Sequence, residues 1–342
     1  MAVIGSGISG LAAARRLREA GLDVMVVEKS RGLGGRAATR RVSVSEGEQV
    51  PVDHGAQFFT ARDLRFQEQV FRWQEQGVCF PWSDGFMTWT QGVLQDPDPR
   101  WREVRYACRG GMNQLAKSLG EGLDILREFQ VCSVTMNDGH WHLHADYGHA
   151  SSPVLSKSLL VSAPIPQAMK LVKRWFSVEQ CEFADGLVYG PCVAVIARYP
   201  EGTISPPWHG IQVRDQASPI SWMAWDSSRR SRGTSGAVTV IHATPAYSSR
   251  WLEASREELQ QAGDELLNEA AVIGGEWMKT PVELVVHRWR YAHPEGPGTP
   301  SGFLRASSSQ PLYLIGDGLN GGRVEGAWLS GHFAAEDLLA DL

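Results

Sequence analysis

The sequence begins with the glycine pattern Gly5-x-Gly7-x-x-Gly10, which lies between a short apolar run and a helix-like segment. Apolar residues recur every three positions in the helix-like segment Ser9 to Ala20, and a valine-rich segment, Asp23 to Glu28, follows it. The order apolar strand, glycine turn, helix and buried strand predicts one βαβ unit of a parallel sheet. This unit restricts the chain to the α/β class of folds.

The spacing of the three glycines has a physical reason. Gly5 permits a tight turn, Gly7 lets the backbone approach a pyrophosphate, and Gly10 lets helix and strand pack closely. The helix N-terminus directs free N–H groups at the phosphates, and Glu28 is placed to accept hydrogen bonds from ribose hydroxyls. The pattern therefore predicts a dinucleotide site. The alternative, a glycine turn without a ligand, is disfavoured by the strand, the helix and Glu28 around it.

Composition limits the remaining function classes. The 342 residues predict about two domains, and 43% hydrophobic residues supply enough core to exclude disorder. The formal net charge of −5 disfavours nucleic acid as a partner. Five cysteines without a CxxC pair predict neither a zinc site nor a disulfide framework. No apolar run reaches the roughly 18 residues of a membrane span, and no basic leader precedes the first strand, so we expect a cytoplasmic protein without a membrane anchor.

The dinucleotide domain is predicted to be discontinuous. Residues 79–101 are rich in Trp, Pro and Gly and predict an excursion into a second domain. Residues 130–146 predict an antiparallel hairpin around an Asn-Asp-Gly turn. The middle region, 167–280, alternates strand-like and helix-like segments, and the chain then returns to an apolar strand and helix.

We therefore predict a Rossmann-like domain with a parallel sheet and a β-meander, formed by residues 1–65, 105–168 and 288–342. A smaller α+β substrate domain is predicted from residues 66–104 and 169–287.

Two motifs resemble those of glutathione-reductase-like FAD proteins, especially their amine oxidase branch. The first is Glu28-Lys29-Ser30-x-x-x-Gly34-Gly35-Arg36, and the second is Gly316-Asp317-Gly318 followed by a helix. The resemblance implies a fold like that of monoamine oxidase and p-hydroxybenzoate hydroxylase. It also implies that Arg36 neutralises pyrophosphate charge, that Asp317 hydrogen-bonds the ribityl chain, and that the last helix directs its dipole at the flavin pyrimidine edge. No flavinylation cysteine or histidine is recognisable, so we expect noncovalent FAD.

A closer resemblance covers the whole chain. The segments GAQFFTARD at 55–63, RGGM at 109–112, IHAT at 241–244, HRWRYA at 287–292 and GRVEGAWLSG at 322–331 resemble the renalase-like FAD family. That family oxidises dihydronicotinamide isomers of NAD(P)H that carry the hydride at ring position 2 or 6, and reduces oxygen to peroxide. The resemblance implies that Ala56, Gln57 and Phe58 lie beside the isoalloxazine, Val131 at the adenine and Ala163 near the adenosine. A structural hydrogen-bonding role for Gln57 is equally compatible with the sequence.

The implied cofactor residues are Gly5, Gly7, Ser9, Gly10, Glu28, Lys29, Gly34, Gly35, Arg36, Ala56, Gln57, Phe58, Val131, Ala163, Gly316, Asp317, Gly326 and Ala327.

A strand predicted from Val282 to Ala292 supplies candidate substrate residues. Its alternation places His287, Trp289 and Tyr291 on one face and two arginines on the other. If this strand passes over the flavin, Trp289 and Tyr291 form a wall for a flat ring, and His242 from the IHAT segment is a hydrogen-bond donor for a substrate amide. Gln57, His242, Trp289 and Tyr291 are thus the predicted catalytic residues; the alternative is that the aromatic face is core.

Two other features carry less weight. His140, His142 and His144 alternate with Trp141 and Leu143, so we expect the histidines to face water rather than to bind a metal. Residues 227–236, which contain three arginines, predict a mobile surface loop with solvated side chains. No GxSxG elbow, P-loop or HExxH motif occurs in the sequence. The sequence therefore does not support a hydrolase or kinase of the classes that depend on these motifs.

The sequence thus predicts an FAD oxidase for a dihydronicotinamide isomer. Its partners are expected to be a small-molecule substrate and O2, without a metal, in a monomer or homodimer. Two alternatives stay open. A true amine oxidase usually carries a lysine near the flavin, and the strand CVAVIARY contains none. A non-catalytic flavin-binding redox sensor is the alternative from another class.

Overall fold

The computed structural model describes residues 1–145, 152–230 and 236–342. The helices in these parts are α1 (Ile8–Glu19), α2 (Leu64–Glu75), α3 (Asn113–Gly120), α4 (Ile165–Val172), α5 (Val178–Asp185), α6 (Pro245–Ser249), α7 (Arg256–Gly274) and α8 (Arg323–Ala340). The strands are β1 (Ala2–Ile4), β2 (Met25–Val27), β3 (Thr39–Ser45), β4 (Glu48–Asp53), β5 (Phe80–Ser83), β6 (Met87–Thr90), β7 (Val93–Gln95), β8 (Arg105–Ala107), β9 (Asp124–Leu126), β10 (Val131–Asn137), β11 (His140–Ala145), β12 (Val154–Ser156), β13 (Leu159–Val161), β14 (Val188–Tyr199), β15 (Gly210–Val213), β16 (Ile220–Trp225), β17 (Ala237–Ala243), β18 (Glu283–Glu295), β19 (Phe303–Arg305) and β20 (Leu312–Ile315).

A six-stranded sheet forms the dinucleotide domain, in the order β19-β20-β13-β1-β2-β9. All pairs are parallel except the edge pair β19–β20. The central strand β1 is buried on both faces, as a continuous apolar run predicts. The α/β class and the Rossmann-like domain predicted from the sequence are confirmed.

The first and last helices, α1 and α8, pack directly against each other on one face of this sheet. A Cβ at Gly331 of α8 would lie 2.0 Å from the carbonyl oxygen of Ser9 in α1, so only glycine allows this approach. Because α1 contains the predicted phosphate turn and α8 follows the second predicted flavin motif, the contact brings both motifs into one domain.

A three-stranded antiparallel sheet, β10-β11-β12, is the predicted meander. Asp138 and Gly139 at the turn have φ values of 49° and 71°. Two consecutive residues with positive φ are typical of a tight hairpin turn that matches strand twist. The hairpin prediction is confirmed from 131 to 145; the predicted end at 146 lies outside the described residues.

A seven-stranded sheet forms the second layer, in the order β18-β14-β17-β16-β15-β6-β7. One face packs against α7, whose N-terminus carries a capping box between Ser255 and Glu258. The other face packs against the hairpin β3–β4 through the valines Val42, Val50 and Val52. Hydrophobic residues therefore alternate between two cores, and the face toward β3–β4 is the one that meets the dinucleotide domain.

Segments from both predicted domains contribute strands to the seven-stranded sheet. Strands β6 and β7 come from the predicted excursion 66–104 and pair with β15 of the second sheet. Strand β18 runs without interruption through the predicted boundary between 287 and 288. The two domains thus share this strand, and the exact division of the chain stays a prediction.

The histidines of β11 were predicted to face water and not to bind a metal. His140, His142 and His144 lie on the partly exposed side of β11, opposite the buried Trp141 and Leu143, as the alternation predicts. His144 Nε2 lies 3.2 Å from Thr135 Oγ1. No group of three metal-binding side chains occurs among the described residues. None of the helices in the described ranges has the length and apolar character needed to cross a membrane.

Candidate flavin and substrate site

The glycine turn and Glu28 form one hydrogen-bonded unit. The Glu28 carboxylate accepts bonds from Ser6 N at 2.8 Å, Ser6 Oγ at 2.7 Å and Ser30 N at 2.8 Å. Gly5 has φ +100°, and a Cβ at Gly10 would lie 2.1 Å from the Gly5 oxygen. The tight turn and the close packing predicted for these glycines are therefore present, and Glu28 fixes the loop that surrounds them.

The space above Gly7 fits a phosphate. No described atom lies within 4 Å of the position that a Cβ on Gly7 would take. Gly34 forms a bridge with Gly7 and donates its N–H to Ser6 O at 3.0 Å, while Gly35, at φ +55°, approaches the Gly7 Cα. The result is a cradle of bare backbone, which is what close approach to a pyrophosphate requires.

The helices α1 and α8, which follow the glycine turn and the second predicted flavin motif, have uncapped N-termini. Within the described chain, no side chain caps α1 at Gly7 or α8 at Gly322. Gly326 lies in the first turn of α8, where a Cβ would come within 2.1 Å of Asn320 O, and Ala327 follows it. Free N–H groups at both ends suit the phosphates and an electron-rich flavin edge. These residues fit FAD.

The two motifs meet at Arg36 and Asp317. Arg36 Nη1 and Nη2 donate to the two Asp317 carboxylate oxygens at 2.8 and 2.6 Å. Ala56 N donates to Arg36 O at 2.9 Å, and Arg36 Nη1 also donates to Ala292 O at 3.2 Å. Four distant segments, at 34–36, 54–58, 287–293 and 316–318, therefore converge at one place.

The remaining predicted cofactor residues lie on β10, on α1 and in the segments that follow β2 and β13. Ala163 borders the glycine turn, since its N lies 3.8 Å from the position of a Gly5 Cβ. Val131 is half-buried at the start of β10 and packs against the core that includes Ile4 and Val27. Ser9 is buried in α1, whereas Lys29 is exposed after β2.

A row of four residues crosses the seven-stranded sheet on the face toward the flavin motifs. In register, His287 of β18 pairs with Ala194 of β14, Ala194 pairs with His242 of β17, and His242 pairs with Trp222 of β16. Adjacent strands are about 4.8 Å apart, so the backbones at His287 and His242 are about 10 Å apart, with the small Ala194 between them. Ala194 itself is fully buried, so other groups cover the sheet at this position.

His54 lies over this row from the dinucleotide domain. Its ring stacks on Trp289 at 5.3 Å between centroids and meets His287 edge-on at 4.8 Å. Trp289 Nε1 donates to the His54 carbonyl at 2.9 Å. The alternation predicted for β18 is confirmed, because Arg288 turns to the other side and donates to Trp251 O at 2.8 Å.

The imidazoles in this cluster are neutral. Burial lowers the pKa of His54 to about 3 and that of His242 to about 3, and it also lowers the pKa of His287. Neither His54 Nδ1 nor His242 Nε2 has a hydrogen-bond partner within the described part of the chain, although both atoms are buried. Buried polar atoms normally have partners, so these two nitrogens are candidate ligand contacts.

Three other predicted site residues, Phe58, Tyr291 and Gln57, contact other protein groups. Phe58 packs against Trp222 at 5.4 Å. Tyr291 packs edge-on against Tyr189 at 5.9 Å, next to Arg36. The Gln57 side chain donates to Asp53 O and, at 3.2 Å, to Gly55 O, so its amide is occupied by protein groups. This favours the structural alternative for Gln57 over substrate contact.

The prediction of solvated arginines at 227–236 is wrong for Arg229 and Arg230. Their side chains are only 3% and 4% exposed, and both form ion pairs with the buried Asp226. Arg229 also pairs with Asp53 at 3.0 Å. Arg232 lies outside the described residues. Composition suggested a loop, but carboxylates in the fold interior attract these guanidinium groups.

Sequence reasoning also missed His54 and Tyr189. His54 directly precedes the segment 55–63, and Tyr189 precedes the apolar part of β14. Burial raises the pKa of Tyr189 to about 12, so its hydroxyl stays protonated beside Asp317. The position of His54 directly before Gly55, at the start of the flavin-side segment, was the available signal.

Comparison with known proteins agrees with this geometry. Residues 3–73 match the NAD(P)-binding Rossmann-like domain, and residues 64–339 match the flavin-containing amine oxidoreductases. The molecule is thus a flavoprotein oxidoreductase with a dinucleotide-binding domain. Since the second match covers well over half of the chain, the chain belongs to the flavin-containing amine oxidoreductase family, and its cofactor is FAD.

Solved structures share the fold at low identity. Cyclohexylamine oxidase from Brevibacterium oxydans IH-35A is 15% identical with a TM-score of 0.74, and the alignment covers 99% of this chain and 98% of that one. A candidate protoporphyrinogen oxidase from Exiguobacterium sp. 255-15 is 15% identical with a TM-score of 0.74, at 100% and 98% coverage. Putrescine oxidase bound to putrescine is 16% identical with a TM-score of 0.71, at 99% and 98% coverage. The predicted monoamine-oxidase-like fold is confirmed.

Proposed function

We propose that this oxidoreductase oxidises a dihydronicotinamide isomer of NAD(P)H that carries its hydride at ring position 2 or 6. One observation carries the proposal: the sheet and the overlying His54 present neutral imidazoles, and two of their buried nitrogens, His54 Nδ1 and His242 Nε2, have no partner among the described residues. A carboxamide has both a donor and an acceptor, so it satisfies either tautomer of His54 or His242. The whole-chain resemblance to the renalase-like family supports the same substrate.

The chain's own residues account for binding and orientation. Trp289 is fixed by its bond to the His54 carbonyl, so its ring is a rigid wall for a flat heterocycle. The small Ala194 separates His287 from His242 in the register of the sheet. We propose that Tyr291 closes the same face near the flavin. Because the walls are aromatic and the imidazoles uncharged, the site suits a flat ring with a polar amide.

Bound FAD supplies the two-electron acceptor, so that dihydronicotinamide, O2 and one proton give the oxidised pyridinium and H2O2. Loss of the hydride creates an aromatic ring and requires no strong general base from the protein. This agrees with a site in which the pKa values of His54 and His242 lie near 3. Positioning of the donor carbon is then the main task of the side chains.

The second candidate is an amine oxidase, which the family and the cyclohexylamine and putrescine oxidase structures favour. Strand β14 contains no lysine, and the histidine row offers no carboxylate for an ammonium group. A non-catalytic flavin-binding redox sensor is the third candidate.

Anaerobic mixing separates the three candidates. The FAD-loaded protein is mixed with the 2- and 6-dihydro isomers of NAD(P)H, with ordinary NAD(P)H, and with cyclohexylamine and putrescine, while the visible flavin band is followed. We expect rapid bleaching by the 2- or 6-dihydro isomers alone. Bleaching by the amines alone would establish the amine oxidase. A protein that no donor bleaches, but that dithionite reduces, would favour the sensor.

A further inference from the structure

Arg229 connects the second sheet to the segment predicted to face the flavin. It ends the short turn Asp226–Arg229 between β16 and β17. Its guanidinium donates to Gln57 O at 2.8 Å and to Gln57 Oε1 at 3.1 Å. The same group pairs with Asp53 at 3.0 Å and with Asp226. One buried side chain thus contacts both the backbone and the side chain of Gln57.

This contact fixes the orientation of the Gln57 amide. Arginine can only donate hydrogen bonds, so the amide oxygen faces Arg229. The amide nitrogen is then directed back to the carbonyls of Asp53 and Gly55. The segment from 53 to 57 is therefore closed into a compact loop, and its shape depends on the position of the guanidinium.

The far side of the network is equally constrained. Asp53 accepts bonds from Met112 N at 2.8 Å and Thr39 Oγ1 at 2.6 Å. The Trp82 ring lies 5.1 Å from the Arg229 guanidinium carbon. Buried ion pairs are often no more stabilising than apolar replacements, so stability alone does not explain such an arrangement. A fixed geometry at the end of the loop does.

We propose that Arg229 is a positioning residue that acts through Gln57 to set the flavin-side segment Ala56–Phe58 against the bound cofactor. The proposal rests on the proposed function and on the predicted placement of this segment beside the isoalloxazine, which the resemblance to the renalase-like family implies. It assigns to a residue of the second sheet a role in the cofactor environment of the first domain.

The chain offers a matched control in Arg230. It lies in the same turn, is equally buried and shares Asp226, at 3.4 Å. Its other bonds are to Ser227 Oγ and, at 2.9 Å, to Gly236 O. Arg229→Lys and Arg230→Lys therefore both disturb a buried ion pair with Asp226, but only the first also disturbs the pair with Asp53 and the two contacts to Gln57.

The test compares the FAD-loaded wild type with both variants. The readouts are the melting temperature, the visible flavin spectrum, the flavin reduction potential and the rate of flavin reduction. We expect both variants to lose melting temperature, R229K more than R230K because it also disturbs the ion pair with Asp53. Only R229K should alter the spectrum and the potential, and its reduction rate at saturating donor should fall at least about tenfold, since small displacements of reacting groups have large effects. Equal spectra and potentials in R229K and R230K would overturn the proposal.

A second variant covers the case in which R229K does not fold. Gln57→Leu removes the link but leaves the Arg229 ion pairs with Asp53 and Asp226. It should reproduce the altered spectrum and potential, and, where R229K folds, the double variant should be no worse than either single one. A wild-type spectrum in Q57L would overturn the proposal. Spectrum and potential need no natural substrate, so failure of every dihydronicotinamide to bleach the wild type would reject the proposed function alone.

Discussion

Arg36 and Asp317 lie 281 positions apart in the sequence and share a two-bond ion pair. The pair joins the GGR segment after β2 to the GDG segment after β20, two motifs that were predicted to contact different parts of the same cofactor. Asp317 also accepts the Gly318 N–H at 3.0 Å, so its carboxylate is held in one orientation. The two halves of the proposed FAD site thus align each other.

Replacing Asp317 should therefore weaken FAD binding. Asp317→Asn removes charge-assisted hydrogen bonds worth about 1.5 to 3 kcal/mol, which corresponds to a roughly 10- to 150-fold rise in the FAD dissociation constant. The measurement is flavin fluorescence during titration of the apoprotein. Arg62→Lys is the control, because its pair with Glu103 is on the surface. Equal affinities in the two variants would show that the motif is misplaced.

Glu28 should matter for a different reason. Glu28→Gln keeps the size of the side chain but weakens the acceptors for Ser6 N and Ser30 N, and with them the glycine turn. We expect lower FAD occupancy after purification and a lower melting temperature that excess FAD partly restores. Full occupancy with an unchanged melting temperature would contradict the role assigned to this carboxylate.

The FAD should be bound without a covalent link. We expect acid precipitation to leave the yellow colour in the supernatant. Colour that stays with the pellet would require a search for an attached cysteine or histidine, for which the sequence offers no recognisable motif.

Trp289 should control the rate of flavin reduction rather than cofactor binding. Trp289→Ala removes the wall next to His54 and is expected to slow reduction by a dihydronicotinamide about 10²-fold with FAD still bound. Trp289→Phe keeps a ring but loses the bond to His54 O. Its rate of flavin reduction should therefore lie between those of the wild type and Trp289→Ala. Trp277→Phe is the control, since Trp277 packs with Tyr199 in the core on the other side of the sheet. A rate unchanged in Trp289→Ala would remove Trp289 from the substrate site.

Acid should destabilise the protein through its buried histidines. The folded-state pKa values of His54 and His242 are lowered to about 3 from 6.5, so the unfolded chain binds protons first. Stability from each histidine is therefore present above about pH 6.5 and is lost as the pH falls toward 3. Between about pH 7.5 and 5 the loss is about 2 kcal/mol for each.

Asp53 acts in the opposite direction. Burial raises the pKa of Asp53 to about 6 despite the opposing charge of Arg229. The contribution of Asp53 to the free energy of unfolding is therefore full below about pH 3.8 and is lost as the pH rises through 6. The two histidines together should outweigh it. The measurement is urea unfolding at about pH 7.5 and about pH 5. Between these pH values His242→Gln should lose less free energy of unfolding than the wild type. Identical losses would mean that His242 is not neutral in the folded protein.

The parts of the fold that depend on local pattern were predictable. The glycine turn, the hairpin around Asp138 and Gly139 and the alternation of β18 follow from steric freedom and strand periodicity within a few residues. The network of Arg229 was not predictable in this way. Its partner Asp53 lies 176 positions away, and a run of Ser, Arg and Gly has the same composition whether water or a buried carboxylate surrounds the arginines.

In the candidate site, too, the local motifs were predictable from the sequence and the contacts between distant strands were not. Its cofactor motifs could be recognised because a pyrophosphate demands bare backbone at fixed spacing. The row His287, Ala194, His242 and Trp222 joins four strands, and its register is set by packing of the whole sheet. Sequence alone therefore suggested His242 and His287 separately, without the distance between them.

The packing of α8 on α1 also has a consequence for biosynthesis. A ribosome that adds about 5 to 20 residues per second needs roughly 15 to 60 s to travel from Arg36 to Asp317. During that interval the nascent chain has its phosphate turn but neither β20 nor the helix that packs beside it. With FAD bound as proposed, flavin loading must therefore wait until the segment around Asp317 has left the exit tunnel, because only then are both motifs available to the cofactor.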